Sequence, residues 1–218
     1  RLWNSVPVDV YLVHADGDAE EFKTGDNLPF RHRPLNHRTF VFPMEIDAQS
    51  SVQVFIRVQT SGNVQMPLTL WEKDAFYEES QEALTVQGIY FGIMLVMALY
   101  NLFIFVTLRQ RSYLYYVLFV VAIGVLQGTI QGLSSQYLWP DNVWWAQKNV
   151  PFLMGTVVLF GGLFTLKFLR LKTILPRLYR LMAGVVGVGL LLCVIWLLKK
   201  CNLVRGHQLE SELDRLLQ

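Results

Sequence analysis

Cysteine is nearly missing from this chain: there are two in 218 residues, Cys193 and Cys201. The N-terminal part therefore has no disulfide framework. Cys193 stands in an apolar run and reads as a small buried residue. Histidine is also scarce. His14, His32 and His37 precede residue 88, and His207 lies near the end. No histidine stands in a long apolar run, so Gly132-Leu133-Ser134-Ser135 lacks the base that an intramembrane serine nucleophile needs. His32 and His37 lack the regularly spaced partners of a metal site. Phosphate loops, paired-cysteine motifs and dinucleotide-binding glycine fingerprints are absent as well. No cofactor and no metal are expected, and catalysis is not visible. The formal net charge is only +2, and no basic cluster has the density of a nucleic-acid face. There is no signal peptide and no initial methionine, so the start at Arg1 reads as processed, truncated or unresolved.

What the chain has in quantity is apolar length, with 53% hydrophobic residues. Gly88–Leu108 (GIYFGIMLVMALYNLFIFVTL) carries no charge over 21 residues. A helix of that length reaches about 30 Å, the thickness of a bilayer's hydrocarbon core. It is read as a transmembrane helix. Three more follow: Tyr113–Leu133, about Val150–Leu169 and about Leu181–Leu198. Trp139, Trp144 and Trp145 fall after the second span, where an aromatic interface belt is expected, and Trp196 ends the fourth. No span has an ionisable residue at its centre, and Lys167 is close enough to an end to reach the interface. That argues against a pump or a transporter of charged substrates.

Lysine and arginine set the orientation. Arg109 and Arg111 lie between spans one and two. Lys167, Arg170, Lys172, Arg177 and Arg180 lie in or beside the connection between spans three and four. Residues 134–149 offer only Lys148. The first two connections are therefore cytoplasmic and the third is outside, which puts the N-terminal part outside too. Four spans then carry the C-terminus outside, yet Lys199, Lys200 and Arg205 favour the cytoplasm. This conflict predicts membrane segments missing near residues 199–206. The end, HQLESELDRLLQ from His207, is a polar helix; Leu209, Leu213 and Leu216 cover too little length for a coiled-coil assignment.

Residues 1–73 read as β-rich. Strand candidates are Val6–Val13, Thr39–Ile46, Val52–Val58 and Val64–Trp71, with a hairpin turn at Thr60-Ser61-Gly62-Asn63. Asp16-Gly17-Asp18 and Thr24-Gly25-Asp26 mark loops, and Pro43 and Pro67 suggest sheet edges or bulges. Four strands are few for a closed sandwich, so part of a larger β-domain is expected. Residues 74–87 (DAFYEESQEALTVQ) read as a short acidic helix entering the first span, either a rigid connection or a plain linker. His32 and His37, with Arg31, Arg33 and Arg38, form the most charged outer loop: a solvated loop, or a site for an anionic or sugar-like ligand. On span two, Gly124, Gly128 and Gly132 repeat every four residues beside Gln127 and Gln131. This small-residue face suits close helix packing, with a dimer face or a ligand cavity as the alternatives.

Several pieces, in order and spacing, resemble the bacterial seven-transmembrane receptors with diverse intracellular signalling modules. They are Arg33-Pro34, His37-Arg38, Phe40-Val41-Phe42-Pro43, Ile56-Arg57-Val58, Pro67-Leu68-Thr69-Leu70-Trp71 with Phe76, Tyr90-Phe91-Gly92-Ile93, Ala98-Leu99-Tyr100-Asn101-Leu102-Phe103, Arg111-Ser112-Tyr113-Leu114-Tyr115-Tyr116 and Gln136-Tyr137-Leu138-Trp139-Pro140. The resemblance runs over roughly residues 1–140. It implies the C-terminal portion of a jelly-roll β-sandwich similar to carbohydrate-binding modules, then seven membrane helices with the C-terminus inside. A linker helix and a cytoplasmic output module would follow, commonly a histidine kinase or a diguanylate cyclase. Here four spans and no output module are found. No family-wide ligand residues carry over; Arg38 and Arg57 match motif positions and are ligand-binding candidates.

The fold class expected is thus a membrane protein with a partial, jelly-roll-like all-β part at residues 1–73, a linker at 74–87, a helical bundle at 88–198 and a signalling linker at 199–218. The function expected is a receptor in the bacterial inner membrane, dimeric, with its β-domain in the periplasm. It would sense a carbohydrate, another small molecule or a partner domain, and feed two-component or cyclic-di-GMP signalling. An anchoring protein and, less favoured, a transporter or channel are the alternatives. The missing-segment expectation predicts an intact mass well above 25.2 kDa for the purified protein, and a mass equal to that value refutes it.

Overall fold

The computed structural model describes residues 7–14, 18–25, 28–46, 49–59 and 66–216. Three strands, β1 (Pro7–His14), β2 (Ala19–Gly25) and β3 (Val52–Val58), form one antiparallel sheet in the order β2-β1-β3. In the central strand Val8, Val10 and Leu12 alternate with Asp9, Tyr11 and Val13, so one face collects the apolar side chains. Leu12 and Val10 are 0% and 1% exposed. Phe22, Phe42, Met44, Val52, Ile56 and Val58 pack against them.

The sheet differs from the expected strand set. β2 begins just after the first predicted loop and takes in Thr24 and Gly25 of the second, in a stretch too polar to read as a strand. Its outward residues, Glu21 and Lys23, hide the signal of Phe22 and Thr24, which pair opposite Val10 and Val8. Thr39–Ile46 is not a strand. Its alternation is real, since Phe42 and Met44 reach the core, but it forms no ladder with the described strands. Residues 66–72 are also in no strand. The predicted turn at residues 60–63, and residues 64 and 65, lie outside the described residues.

Six helices follow: α1 (Lys73–Leu108), α2 (Arg111–Gln131), α3 (Leu133–Tyr137), α4 (Val143–Phe168), α5 (Leu171–Ile174) and α6 (Pro176–Leu216). Four of them carry stretches long and apolar enough to cross a membrane: Lys73–Leu108, Arg111–Gln131, Lys148–Phe168 and Pro176–Leu198. The acidic residues 74–87 belong to α1 itself, which has 36 residues. At about 1.5 Å per residue that is roughly 54 Å, far more than a hydrocarbon core of about 30 Å requires. α6 likewise runs unbroken through residues 199–206. α2 stops at Gln131 because Gly132 adopts φ 90°, a left-handed conformation that costs a glycine little. Arg109 and Arg170 take similar conformations after α1 and α4, at φ 51° and 46°, where a positive side chain also suits the helix C-terminus.

The chain divides into two compact units, Arg1–Glu78 with Gln127–Asn149, and Glu79–Leu126 with Val150–Gln218. In the second unit, α1 meets α2 through Ala98, Val117 and Val120, with Met94, Tyr116 and Phe119 around them. Tyr116 and Phe164 join α2 to α4 with ring centroids 5.3 Å apart. α4 and α6 approach closely, backbone to backbone. A Cβ built on Gly189 would lie 2.9 Å from the Leu159 nitrogen and 3.0 Å from the Gly155 carbonyl oxygen. Only backbone without side chains fits there, as small residues allow in membrane helices. Large apolar side chains such as Ile93, Val96 and Phe103 on α1 remain exposed, as lipid-facing residues do.

Gly189→Val should force α4 and α6 apart, costing about 1–3 kcal/mol as overpacking does. Gly187→Ala, at a glycine with nothing within 4 Å, should be tolerated. Thermal unfolding of both variants in detergent, followed by circular dichroism, checks this.

Candidate functional site

The loop after β2 is organised by one side chain. Pro29 and Pro34 restrict the backbone on either side of a short 3-10 turn, Phe30–His32. Phe30 is buried. The Arg33 guanidinium carbon lies 4.5 Å from the centroid of the Phe30 ring and 4.4 Å from that of Phe40. Its Nη1 donates to the carbonyls of His37 at 3.1 Å and Arg38 at 3.0 Å. A planar cation suits both tasks, stacking on rings and bridging carbonyls. Together they hold the Phe30–Phe40 segment in one conformation.

His37 ties that segment to α1. Its Nδ1 accepts the Thr39 backbone N–H at 3.2 Å and lies 2.8 Å from the Thr39 hydroxyl. Its ring meets the ring of Phe76, in the first turn of α1, edge-on at 5.1 Å. On another side the segment meets the α2–α4 connection. The Phe30 N–H donates to the Pro140 carbonyl at 3.0 Å. Arg31 Nε pairs with Asp141 Oδ1 at 3.3 Å, and Gln136 Nε2 donates to Asn36 Oδ1 at 3.3 Å. One loop thus touches both the start of the first membrane helix and the connection between the second and the third.

The second feature is the polar face of the sheet. Tyr11 stands between Glu21 on β2 and Phe55 on β3, and Asp9 between Lys23 and Arg57. Phe55 is 56% exposed, high for an aromatic side chain. Lys23 Nζ lies 3.1 Å from Glu21 Oε1. The hydrogen bond from Lys23, and then that from Tyr11, lowers the Glu21 carboxyl from its ordinary range. The hydrogen bond to Glu21 raises the Tyr11 hydroxyl. The face thus offers two aromatic side chains beside both signs of charge.

Of the sequence candidates, Arg57 lies on this face, whereas Arg38 lies in the Arg33 loop. They stand on different elements. Gly124 on α2 faces Met94 of α1, whose Cε would lie 3.6 Å from an added Cβ, an ordinary contact. Gly128 is buried, and Gln127 and Gln131 are half-buried. Gly132 is buried and ends α2, its φ of 90° lying outside helical geometry. Close backbone-to-backbone packing falls on Gly155 and Gly189 instead. Two features were missed in sequence. The role of Arg33 depends on rings brought together only by the folded loop. Asn149 is fully buried although polar, and its one signal was its place just before the third span.

Burial, followed by the Arg38 and Arg33 charges, lowers His37 below its ordinary value of 6.5. The folded state therefore favours the neutral ring. The stability it contributes is present above the unfolded pKa and is lost as pH falls through the folded one. Protonating Nδ1 would also remove the acceptor that Thr39 uses. Thermal midpoints should therefore drop between pH 7.5 and 5.5 in the wild type, and drop less in His37→Gln; parallel melts of the two proteins read the difference.

No curated protein and no solved structure matches the chain. Two family models do. The model described as 7TMR-DISM extracellular 2 matches residues 5–72, which include all three strands. The model described as 7TM diverse intracellular signalling matches residues 83–203, more than half of the chain, taking in the four apolar helices. With a β-sheet part, a helical membrane part and both models in the same order, the chain belongs to the 7TM diverse intracellular signalling family and is a transmembrane receptor with an extracellular sensor part.

Proposed function

We infer that this receptor sits in the bacterial inner membrane with its sheet in the periplasm. The sheet's polar face binds a hydroxyl-rich ligand of carbohydrate type. The bundle and α6 pass the bound state to a cytoplasmic output module, a histidine kinase or a diguanylate cyclase, within a dimer. The observation that carries the reading is α1. It starts against His37 of the sensor loop and continues, with no break, as the first span. A continuous helix resists bending, so a displacement at Phe76 is felt along the apolar part.

The orientation rests on the loop arginines and lysines, which cluster at Arg109–Arg111 and Lys167–Arg180. The ligand class rests on the polar sheet face. Aromatic side chains cover the apolar faces of a sugar ring, while carboxylates and guanidinium groups bond its hydroxyls. Arg57 and Phe55 would make direct contact. Arg38 would act from the loop. A ligand shifts the receptor only by the difference in its affinity for the two states.

The test is binding of the full chain in nanodiscs to an array of bacterial cell-wall and capsular oligosaccharides. At least one should bind, and Arg57→Ala should weaken it roughly tenfold, the scale of a lost hydrogen bond to a charged group. Phe55→Ala should weaken it as well. Binding that neither substitution changes would move the ligand away from this face.

A further inference from the structure

Four buried side-chain nitrogen or oxygen atoms among the described residues have no hydrogen-bond partner: Gln131 Oε1, Trp139 Nε1 and both polar atoms of Asn149. All belong to the stretch from the end of α2 to the outer part of α4. Asn149 is 0% exposed, and neither polar atom of its amide has a protein partner. Buried polar groups are nearly always paired, so four exceptions within 19 residues mark a place where another arrangement would gain hydrogen bonds. Trp139 is held against Trp145, ring centroids 6.0 Å apart, and Asn149 follows Trp145 by one helical turn.

The same stretch carries the contacts that hold it in this arrangement: Pro140 to Phe30, Asp141 to Arg31 and Gln136 to Asn36. It is also bounded by two breaks in helical hydrogen bonding. Gly132 ends α2 with φ 90°, and Pro151 stands inside α4 without an N–H to give. The helix end at Gly132 and the hydrogen bond that Pro151 cannot donate give the segment a point of bending on either side.

We propose that residues 132–149 are a two-state latch. Docked on the Phe30–Asn36 segment, the latch keeps Asn149 buried and without a protein partner. Released, it lets Asn149, Gln131 and Trp139 take up partners. The sensor loop then has a second route into the bundle, through α2 and α4, beside the one through α1. The signalling role rests on the receptor reading; the docking does not.

The test uses the full chain in liposomes with Cys193→Ser and Cys201→Ser, and with Asn149→Cys as a reporter. A membrane-impermeant maleimide should label the thiol at position 149 slowly. Arg31→Asp places like charges at positions 31 and 141 and should raise the labelling rate about fivefold, on the scale of reversing an exposed ion pair. Adding Asp141→Arg should return the rate. In the same cysteine-free background without the reporter, Asn36→Cys with Gln136→Cys should be bridged by a short bifunctional maleimide, a linker that spans the two side chains now in contact. Labelling that is fast from the start, or unmoved by the reversal, overturns the latch. So does a rise that the charge exchange does not restore, or a pair that fails to cross-link. None of these readouts involves a ligand or an output. Their failure leaves the receptor reading standing, and failed oligosaccharide binding leaves the latch standing.

Discussion

The extracellular part depends on the Arg33 guanidinium, which lies between two rings and bonds two carbonyls. Cation–π contacts contribute about 0.5–2 kcal/mol each, and hydrogen bonds to charged groups about 1.5–3. Few single side chains in a loop have that many partners. The consequence is positional. With Arg33 in place, the Phe30 N–H faces Pro140, Arg31 faces Asp141 and the His37 ring faces Phe76. Without it, the loop has no comparable reason to hold those three contacts at once.

Downstream, rigidity comes from helices. α1, α2 and α4 each have one end in the first compact unit and the rest in the second. The bundle itself is held by side-chain packing between α1 and α2 and by close backbone contact between α4 and α6. Packed interfaces of the latter kind have few intermediate positions, because the backbone cannot yield as a flexible side chain can. A receptor needs that property, since graded deformation would dissipate a small displacement.

Much of this was legible in the sequence, for physical reasons that differ by element. Gly88–Leu108 has no charge and no break, and such a run has few stable structures other than a membrane helix. β1 and β3 showed through alternating Val, Leu and Ile residues, because one face of the sheet is buried. β2 did not, because on the face it shares with Val8, Val10 and Leu12 it offers Glu20, Phe22 and Thr24, of which only Phe22 is apolar. Phe42 and Met44 misled in the opposite direction: they reach the core from a segment that is extended but unladdered. Alternation reports which side chains are buried, and backbone pairing is a separate fact. Gly132 shows a similar limit. A four-residue glycine spacing marks a packing face only while the helix continues, and the turn at φ 90° ends it. The family motif pieces at Arg33-Pro34, His37-Arg38 and Phe40 were visible as a pattern, but the reason they belong together is that the Arg33 guanidinium bonds the His37 and Arg38 carbonyls and stacks on Phe40.

The central claim is that the Arg33 loop is mechanically coupled to α1. Hydrogen exchange of the full chain in nanodiscs, wild type against Arg33→Ala, tests it most directly. Mechanical coupling requires faster amide exchange both in residues 28–42 and in the first two turns of α1, from Lys73 to about Ser80. Faster exchange confined to residues 28–42, with the start of α1 unchanged, would contradict it.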